Sequence, residues 1–275
     1  MLSYQHIYHA GNFADVHKHA ILTLLIEYLK KKPAPFFILD AHGGRGLYPL
    51  DAPEAEKTSE YMTGIAKLWP VRQKAPDVLA PYLDSVADAN PGEALTHYPG
   101  SPLVALCLMR RDDKLAVMEK HPAEIRFLRQ NLKSFHQASV HDRDAYESLT
   151  GLLPPAEKRG LVLIDPSYED KDEYAAMPQK LAAALKRWPQ GIFVIWYPVL
   201  PSNHHEKLVS GLATIEGATI LNSRLDLKAS PMALSGSGVA IINPPWKLDE
   251  EITQACDWLA KTLGGKHALV LVGKG

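Results

Sequence analysis

The fold is decided by residues 36–46, which read FFILDAHGGRG. The four leading apolar residues predict a buried strand of a parallel sheet, and that strand ends at Asp40. The glycines that follow, Gly44 among them, let the backbone approach a ligand closely at the carboxyl end of the sheet. This order is typical of folds that bind nucleotide-like cofactors, and an ordinary turn is the alternative. Pro49 stands where the dinucleotide pattern G-x-G-x-x-G has its third glycine, which disfavours NAD and FAD.

Apolar runs that could form strands alternate with helical segments along the rest of the chain. An arm at residues 1–12 leads into a first helix, which Asn12 caps and Pro33 ends. Strands alternating with helices predict an α/β fold with a mostly parallel sheet. Polar helical segments between residues 50 and 99 interrupt the alternation and predict a helical insertion. The further strands are expected at 115–118, 138–140, 161–164, 192–196, 218–225, 239–242 and 268–272.

Composition limits the classes of function. The 275 residues include 30 Lys and Arg and 31 Asp and Glu, which argues against a general nucleic-acid coat. Two cysteines cannot form a disulfide framework, and they indicate a reducing compartment. No apolar run has the roughly 18 residues of a membrane span, and the N-terminus has no signal-peptide core. We therefore expect a cytoplasmic protein that does not enter a membrane.

Two more strands are followed by carboxylates. Glu119 comes directly after residues 115–118, and an acidic residue at this position commonly binds the ribose hydroxyls of a nucleoside. Its separation from Asp40 exceeds the usual offset of about 20 residues, and the insertion accounts for the excess. Asp144 follows the weak strand 138–140 and could accept a hydrogen bond from an exocyclic amine. For both residues, a solvated carboxylate in a turn is the alternative.

The sharpest signal is Asp165-Pro166-Ser167-Tyr168, which follows the strand 161–164. The Asp165 carboxylate and the Pro166 carbonyl can both accept hydrogen bonds from an amino group, and Tyr168 can stack on a flat base. An exocyclic amine on a base is a poor nucleophile because its lone pair is conjugated into the ring. Two acceptors that favour a tetrahedral nitrogen would activate it, largely through positioning. The pattern therefore predicts methylation of an amino group on adenine or cytosine.

A rival site is Asn243-Pro244-Pro245-Trp246, whose letters match amino-methyltransferase motifs more closely. Chain order favours Asp165, because it ends the fourth strand, and the fourth strand is expected beside the first. The histidine pairs show neither H-E-x-x-H nor paired C-x-x-C spacing, so no metal site is expected. Motifs for acyl transfer and for P-loop nucleotide binding are absent from the sequence as well.

The whole set of blocks resembles the bacterial 23S ribosomal RNA adenine-N6 methyltransferases of the RlmJ type, over nearly the full chain. The N-terminal block and the YPGSP block are the most specific parts of this resemblance. The matching blocks are MLSY at 1–4, HAGN at 9–12, ADV at 14–16, KH at 18–19, LDAHG at 39–43, YPGSP at 98–102, EKHP at 119–122, RGLVLIDP at 159–166, WYPV at 196–199, SGSG at 235–238 and NPPWKL at 243–248.

The resemblance implies a class I S-adenosylmethionine-dependent, Rossmann-like fold with a mostly parallel seven-stranded sheet. Residues 1–49 and 100–275 would form the methyltransferase domain, with 1–12 as an arm facing the substrate and 50–99 as a helical insertion. The implied activity is N6 methylation of one adenine in 23S rRNA. We further expect the RNA to be a hairpin or an unfolded precursor, the protein to be a monomer, and no metal to take part. The family has also been linked to the use of external DNA as a nutrient. One alternative is therefore a non-catalytic nucleic-acid-binding protein. A second, independent alternative is a small-molecule methyltransferase.

The resemblance and the glycine turn together assign the site residues. Asp165 would be the catalytic acceptor, assisted by the Pro166 carbonyl, and Tyr4 and Tyr168 would contact the substrate. Two positions depart from the family pattern, since Ser167 replaces a second proline and Ala145 replaces a glycine. We expect catalysis to survive the first change, and Ala145 to serve unless its position requires a positive φ. The expected cofactor-binding residues are Lys18, His19, Asp40, His42, Gly44, Ser101, Glu119, Asp144 and Ala145.

Overall fold

The computed structural model describes residues 4–228 and 234–272. Residues 1–3, which begin the expected arm, lie outside the described residues. The strands, in chain order, are β1 (Phe37–Asp40), β2 (Leu47–Pro49), β3 (His97–Pro99), β4 (Lys114–Met118), β5 (Ala138–His141), β6 (Gly160–Ile164), β7 (Ile192–Val199), β8 (Ile220–Leu227), β9 (Gly236–Ile242) and β10 (Gly265–Val272). The α-helices are α1 (Phe13–Lys30), α2 (Pro53–Thr58), α3 (Ile65–Leu68), α4 (Ala80–Asp88), α5 (Ser101–Leu108), α6 (Glu124–Leu132), α7 (Ala145–Gly151), α8 (Glu173–Arg187), α9 (His205–Leu212) and α10 (Leu248–Leu263).

Within the described part of the chain, eight strands form the main sheet, in the order β10-β8-β9-β7-β6-β1-β4-β5. Strands β5, β4, β1, β6 and β7 run parallel, and the remaining three pair antiparallel. The expected α/β fold is confirmed, but the expected count of seven strands is wrong. The eighth is β10, which pairs with β8 along its full length and forms one edge of the sheet.

The parallel half of the sheet places the candidate site residues at one edge. Strand β1 lies between β4 and β6, so Asp40 pairs with Val117 on one side and with Leu163 on the other. The carboxyl ends of β1, β4, β5 and β6 therefore meet at the same edge. Glu119, Asp144 and Asp165 follow these strands at that edge, as the sequence predicts.

The rival Asn243 lies at the opposite edge. Strand β9 runs antiparallel to β7, and its last residue, Ile242, pairs with Phe193 at the start of β7. The Asn243 side-chain amide donates to the carbonyl oxygens of Pro189 and Gly191, both at 2.8 Å. Asn243 thus closes a turn at the amino edge of the parallel strands, which excludes it from the site at the carboxyl edge.

Helix α1 crosses the sheet and carries several polar residues into the interior. Its cap is Asn12, as predicted, whose side chain accepts the backbone N–H groups of Ala14 and Asp15. The helix packs against β7 and β9 and against α5 and α10, so most of its residues are buried. Lys18 on this helix is buried, and a buried lysine normally requires an anionic partner.

The hairpin β2–β3 encloses most of the expected insertion, which carries α2, α3 and α4. Tyr82 and Val86 of α4 belong to the same hydrophobic core as Ile21 and Leu25 of α1. Residues 97–99, at the end of the expected insertion, form β3. Helices dominate the rest, and a separate domain at 50–99 stays a prediction. No helix in the described residues is long and apolar enough to cross a membrane.

Candidate active site

A cleft at the carboxyl edge of the sheet brings most of the expected residues together. The wall of the cleft comes from the ends of β1, β4, β5 and β6, from α1 and from the start of α5. The expected residues that line it are Tyr4, Lys18, His19, His42, Gly44, Ser101, Glu119, Asp144, Ala145, Asp165 and Pro166. Asp40 lies just behind this wall, and Tyr168 is not among the lining residues.

The glycine turn after β1 is held by hydrogen bonds to the two neighbouring strand ends. The Gly43 N–H donates to the carbonyl of Met118 at 2.9 Å, and the Gly44 N–H donates to the carboxylate of Glu119 at 2.8 Å. The His42 N–H donates to the Asp40 carboxylate at 3.2 Å. Burial raises the pKa of Asp40 to about 6, against the lowering effect of the Ser101 hydroxyl. These bonds fix the turn against the cleft before any ligand arrives.

We expect Gly44→Ala to weaken S-adenosylmethionine binding by about tenfold or more, because Gly44 has a positive φ of 59°. A Cβ atom on Gly44 would also lie 2.1 Å from the hydroxyl oxygen of Tyr48. The turn must therefore move, and the hydrogen bond from the Gly44 N–H to Glu119 is then lost. Calorimetric titration measures the change. Gly92→Ala is the matched control, since Gly92 is exposed and nothing lies within 4 Å of its Cβ position. Equal affinities for both variants would contradict this account.

Glu119 combines burial with two backbone donors. Its carboxylate accepts the N–H groups of Gly44 at 2.8 Å and of His121 at 2.6 Å. Burial raises the pKa of Glu119 to about 7, although these hydrogen bonds favour the ionised form. The carboxylate is therefore poised between its two protonation states near neutral pH. Only the ionised form offers acceptors on both oxygens to a pair of ribose hydroxyls.

We expect cofactor affinity to rise with pH as Glu119 ionises. With a pKa of about 7, a site that binds the ligand only when Glu119 is ionised gains up to about tenfold in affinity from pH 6 to pH 8. Dissociation constants measured at both pH values test this. Glu119→Gln cannot ionise and should remove most of the increase. The same increase in this variant would assign the pH dependence to another group, such as Asp40.

The far end of the cleft is formed by the start of α7. Asp144 caps this helix by accepting the Tyr146 N–H at 2.9 Å, and Lys120 donates to its other oxygen at 3.2 Å. Ala145 is the first residue of α7 and does not have a positive φ. The backbone here consequently does not require glycine, and the Ala145 departure leaves the N–H available. The Lys180 amine lies 3.4 Å from the ring centroid of Tyr146, whose side chain also lines the cleft.

The buried His19 and the half-buried His42 present neutral rings to the cleft. His19 Nδ1 is hydrogen-bonded to the Tyr98 hydroxyl at 2.9 Å, and its Nε2 has no hydrogen-bond partner among the described residues. Burial lowers the pKa of His19 to about 3. His42 Nδ1 accepts the Asp165 N–H at 3.1 Å, so its proton is on Nε2, and burial lowers its pKa to about 4. A buried nitrogen left without a partner at a cavity wall fits a polar ligand such as S-adenosylmethionine.

Asp165 is paired with Lys18 rather than free in the cleft. The same Lys18 amine donates to Asp15 at 2.8 Å, and Asp15 is bonded to His6 at 2.8 Å. Burial disfavours the charged amine, but Asp15 and Asp165 outweigh it and raise the pKa of Lys18. Lys18 thus lines the cleft, as expected, but this geometry commits its charge to two protein carboxylates rather than to a cofactor carboxylate.

A second cavity adjoins the cleft, and Asp165 lies on the wall of both. Tyr4, Lys18 and Ser167 are also shared, while Trp196 lines only the second cavity. One cavity has the groups expected for the cofactor, and the other has an aromatic wall beside the catalytic candidate. The arrangement can hold a methyl donor and an acceptor on two sides of Asp165.

Tyr168 lies outside both cavities, in contrast to its expected place against the substrate. Its ring stacks on Tyr174 with centroids 4.2 Å apart, and its hydroxyl donates to the carbonyl of Trp196 at 2.7 Å. The residue has a φ of 54° and its side chain is only 7% exposed. Sequence reasoning assigned no role to Trp196, because an aromatic residue in an apolar strand resembles core.

No cluster of three or more histidine, cysteine, aspartate or glutamate side chains that could hold a metal ion occurs in residues 4–228 and 234–272.

Comparison with known proteins identifies the family of the chain. A family model described as "Ribosomal RNA large subunit methyltransferase D, RlmJ" matches residues 33–271. A relative from Escherichia coli, named Ribosomal RNA large subunit methyltransferase J, is 39% identical over 275 residues and covers 98% of both chains. A relative of the same name from Haemophilus influenzae is 39% identical and covers 96% of this chain and 94% of its own.

The fold is shared with a solved structure as well. The crystal structure of a Legionella pneumophila protein superimposes with a TM-score of 0.90 at 35% identity, covering 97% of this chain and 99% of its own. The fold is that of a class I methyltransferase, and the family match implies S-adenosylmethionine as the cofactor. The chain therefore belongs to the RlmJ family of ribosomal RNA large subunit methyltransferases.

Proposed function

We propose that this protein transfers the methyl group of S-adenosylmethionine to N6 of one adenine in 23S rRNA. The observation that carries the proposal is Asp165 at the junction of two cavities, one with the groups expected for the cofactor and one with the aromatic wall of Trp196. The names of the two curated relatives support a ribosomal RNA substrate. The proposal includes the cytoplasmic location and the monomeric state expected from the sequence.

His19, His42, Glu119 and the start of α7 would hold the cofactor, which supplies an electrophilic methyl group when bound. The Asp165 carboxylate and the Pro166 carbonyl accept hydrogen bonds from the amine of the target base. Asp165 then takes the proton that the amine loses. Lys18 remains protonated throughout because of its raised pKa, and it orients Asp165 from behind. Ser167 stands where the family has a second proline and is exposed, whereas the acceptor carbonyl belongs to Pro166, so catalysis is expected to survive this departure.

The target base must leave its stack to reach Asp165, because the carboxylate lies in a cleft rather than on a protruding surface. Proteins that recognise RNA by sequence mostly bind bases of loops and ends, which can be extruded at low cost. We therefore propose a hairpin or an unfolded precursor as the substrate. The net charge of -1 fits a small footprint on such an RNA better than a broad basic surface.

We expect Tyr4→Ala to lower kcat/KM for RNA by about tenfold, because the Tyr4 ring lines both cavities and stacks on His9 with centroids 5.4 Å apart. Its hydroxyl is also bonded to His6 at 2.9 Å. Tyr4→Phe keeps the ring and removes this bond, so it separates the two contributions. Methyl-transfer rates on RNA are the measurement. Wild-type rates for Tyr4→Ala would remove the arm from the site.

The position of the methyl group tests the proposal at the level of the base. Unmodified 23S rRNA made by transcription is incubated with the protein and S-adenosylmethionine, digested to nucleosides and analysed by mass spectrometry. We expect N6-methyladenosine as the modified nucleoside. A methyl group on another base, or on a carbon of adenine, would contradict the amine-holding role of Asp165 and Pro166. A parallel reaction on assembled large subunits is expected to proceed less, since the target is then folded.

A further inference from the structure

We propose that Trp196 binds the target base, and that a buried chain of hydrogen bonds from its indole N–H holds the ring in place. Trp196 would thus be a substrate-binding residue, with Ser237 and His17 as positioning residues behind it. The inference rests on the proposed function, since it names the surface that receives the adenine. It assigns the aromatic contact to β7 instead of to Tyr168.

The position of Trp196 is that of a wall beside the reacting group. Its half-buried ring lines the second cavity, which it shares with Asp165 and Ser167. The Lys18 amine, which pairs with Asp165, lies 5.7 Å from the centroid of the ring. A flat base stacked on this indole would have its edge close to Asp165. Tyr168, by contrast, is stacked on Tyr174 and lines neither cavity.

The indole N–H begins the buried chain. It donates to the Ser237 hydroxyl oxygen at 3.0 Å, and Ser237 is bonded to Nδ1 of His17 at 3.0 Å. An indole N–H can only donate, so the Ser237 oxygen accepts from Trp196, which leaves the Ser237 hydroxyl proton free to donate to Nδ1 of His17. Ser237 and His17 are both fully buried, and burial lowers the pKa of His17 to about 3. His17 is therefore neutral and donates from Nε2.

The chain continues along the face of the sheet that packs against α1 and α10, and it reaches the surface there. His17 Nε2 donates to the Ser223 hydroxyl oxygen at 2.9 Å, and Ser223 is bonded to Nε2 of His267 at 3.0 Å. His267 Nδ1 then lies 2.9 Å from the carboxylate of Asp257. When each group donates to the next one in the direction of Asp257, every hydrogen-bonding group from the indole N–H to the Asp257 carboxylate has a partner. Rotation of the Trp196 ring would leave a buried donor and a buried acceptor without partners, which is costly.

The main chain of Trp196 is held from the other side. Its carbonyl oxygen accepts the Tyr168 hydroxyl at 2.7 Å, and Tyr168 belongs to the turn that carries Asp165 and Pro166. Trp196 is thus fixed through its indole by Ser237 and through its backbone by Tyr168. Both restraints keep the ring in a constant orientation relative to Asp165. An indole ring held in one orientation lets a bound base present its amine to Asp165 with little further loss of conformational entropy.

The test compares Trp196→Ala with Trp246→Ala. Trp246 is a control because the residue is 83% exposed and lies just before α10, after the end of β9 at the opposite edge of the sheet from the site. We expect Trp196→Ala to lower kcat/KM for 23S rRNA by about tenfold to a hundredfold, the range for a lost base–aromatic stack. Its affinity for S-adenosylmethionine should stay within about twofold, because Trp196 does not line the cofactor cleft. Trp246→Ala should match the wild type in both. Wild-type kcat/KM in Trp196→Ala would overturn the proposal.

Ser237→Ala tests the positioning chain, and Ser223→Ala is its matched control, since it leaves the Trp196–Ser237–His17 bonds intact. We expect Ser237→Ala to raise KM for RNA about threefold to tenfold with little change in kcat, and Ser223→Ala to change KM less. A purely structural role would lower kcat and cofactor affinity in both variants to a similar degree. Equal KM values for the two variants would overturn the positioning role of Ser237.

Tryptophan fluorescence provides a measurement that needs no methyl transfer. Adenosine added to the protein with S-adenosylhomocysteine should quench the emission of the wild type, and Trp196→Phe should lose this quenching. Equal quenching in the two proteins would overturn the contact, even if Trp196→Ala proves unstable. If the wild type shows the quenching but methylates no RNA, the proposed function fails while the base contact stands.

Discussion

Asp165→Ala is expected to lower the rate of methyl transfer by about a hundredfold to ten-thousandfold, the range for loss of a group that handles a proton in the transition state. The carboxylate lies on the wall of both cavities, and its removal takes away one of the two acceptors for the target amine. The remaining acceptor, the Pro166 carbonyl, cannot take up a proton. The measurement is kcat on 23S rRNA with saturating cofactor.

Cofactor affinity separates this effect from damage to the fold. We expect the dissociation constant for S-adenosylmethionine to stay within a few-fold in Asp165→Ala, because Glu119, His19 and the glycine turn are unchanged. Asp142→Ala is the matched control, since Asp142 is an exposed aspartate near the same sheet edge. Full activity in Asp165→Ala would refute the catalytic assignment.

Lys18→Met is expected to lower both activity and stability, because it leaves Asp15 and Asp165 without the cation that joins them. Breaking a buried ion pair from one side costs about 3–5 kcal/mol of the free energy of unfolding. Urea denaturation measures this cost, and kcat on RNA measures the disordering of Asp165. Lys31→Met is the control, because Lys31 is exposed and pairs with Glu251 at 3.2 Å, a contact worth at most about 1 kcal/mol.

The pH dependence of this cost has a defined sign. Burial alone would raise the pKa of Asp15, but His6 and Lys18 outweigh burial and lower it. A carboxylate with a lowered pKa stabilises the fold above its unfolded pKa, and this contribution is lost as pH falls through the folded value. The stability gap between wild type and Lys18→Met should therefore be full at pH 7 and shrink on acidification below about pH 4. A gap that stays constant to pH 3 would show that the cost is not electrostatic.

The position of the candidate site at one edge of the sheet could be predicted from the sequence, because the carboxyl ends of parallel strands meet at one edge. Glu119, Asp144 and Asp165 each follow a short apolar run, and the carboxyl ends of such runs meet at one edge whatever the loops between them do. The exclusion of Asn243 followed from chain order, and the antiparallel direction of β9 gives the physical reason. The helical character of residues 53–88 was also readable, since these polar segments carry apolar residues at helical spacing.

Side-chain partners across the fold could not be predicted in the same way. Lys18 and Asp165 are 147 positions apart, and nothing local distinguishes their pairing from a contact of Lys18 with the cofactor. Tyr168 was expected at the substrate because of its place after Asp165-Pro166, but its stacking on Tyr174 depends on how α8 packs. Trp196 belongs to the mostly buried strand β7, where only the partners of its indole N–H separate it from core. The eighth strand was visible as residues 268–272, whereas the family resemblance implied seven.

Methyl transfer to nucleic acid tests the central claim most directly. Total RNA and DNA from a strain that lacks this protein are each incubated with the purified protein and S-adenosylmethionine that carries a tritiated methyl group. The account predicts label in 23S rRNA, released on digestion as N6-methyladenosine, and no label in DNA. Cofactor binding without label in 23S rRNA would contradict it, and nucleic-acid binding without methyl transfer would favour a non-catalytic role on the same fold.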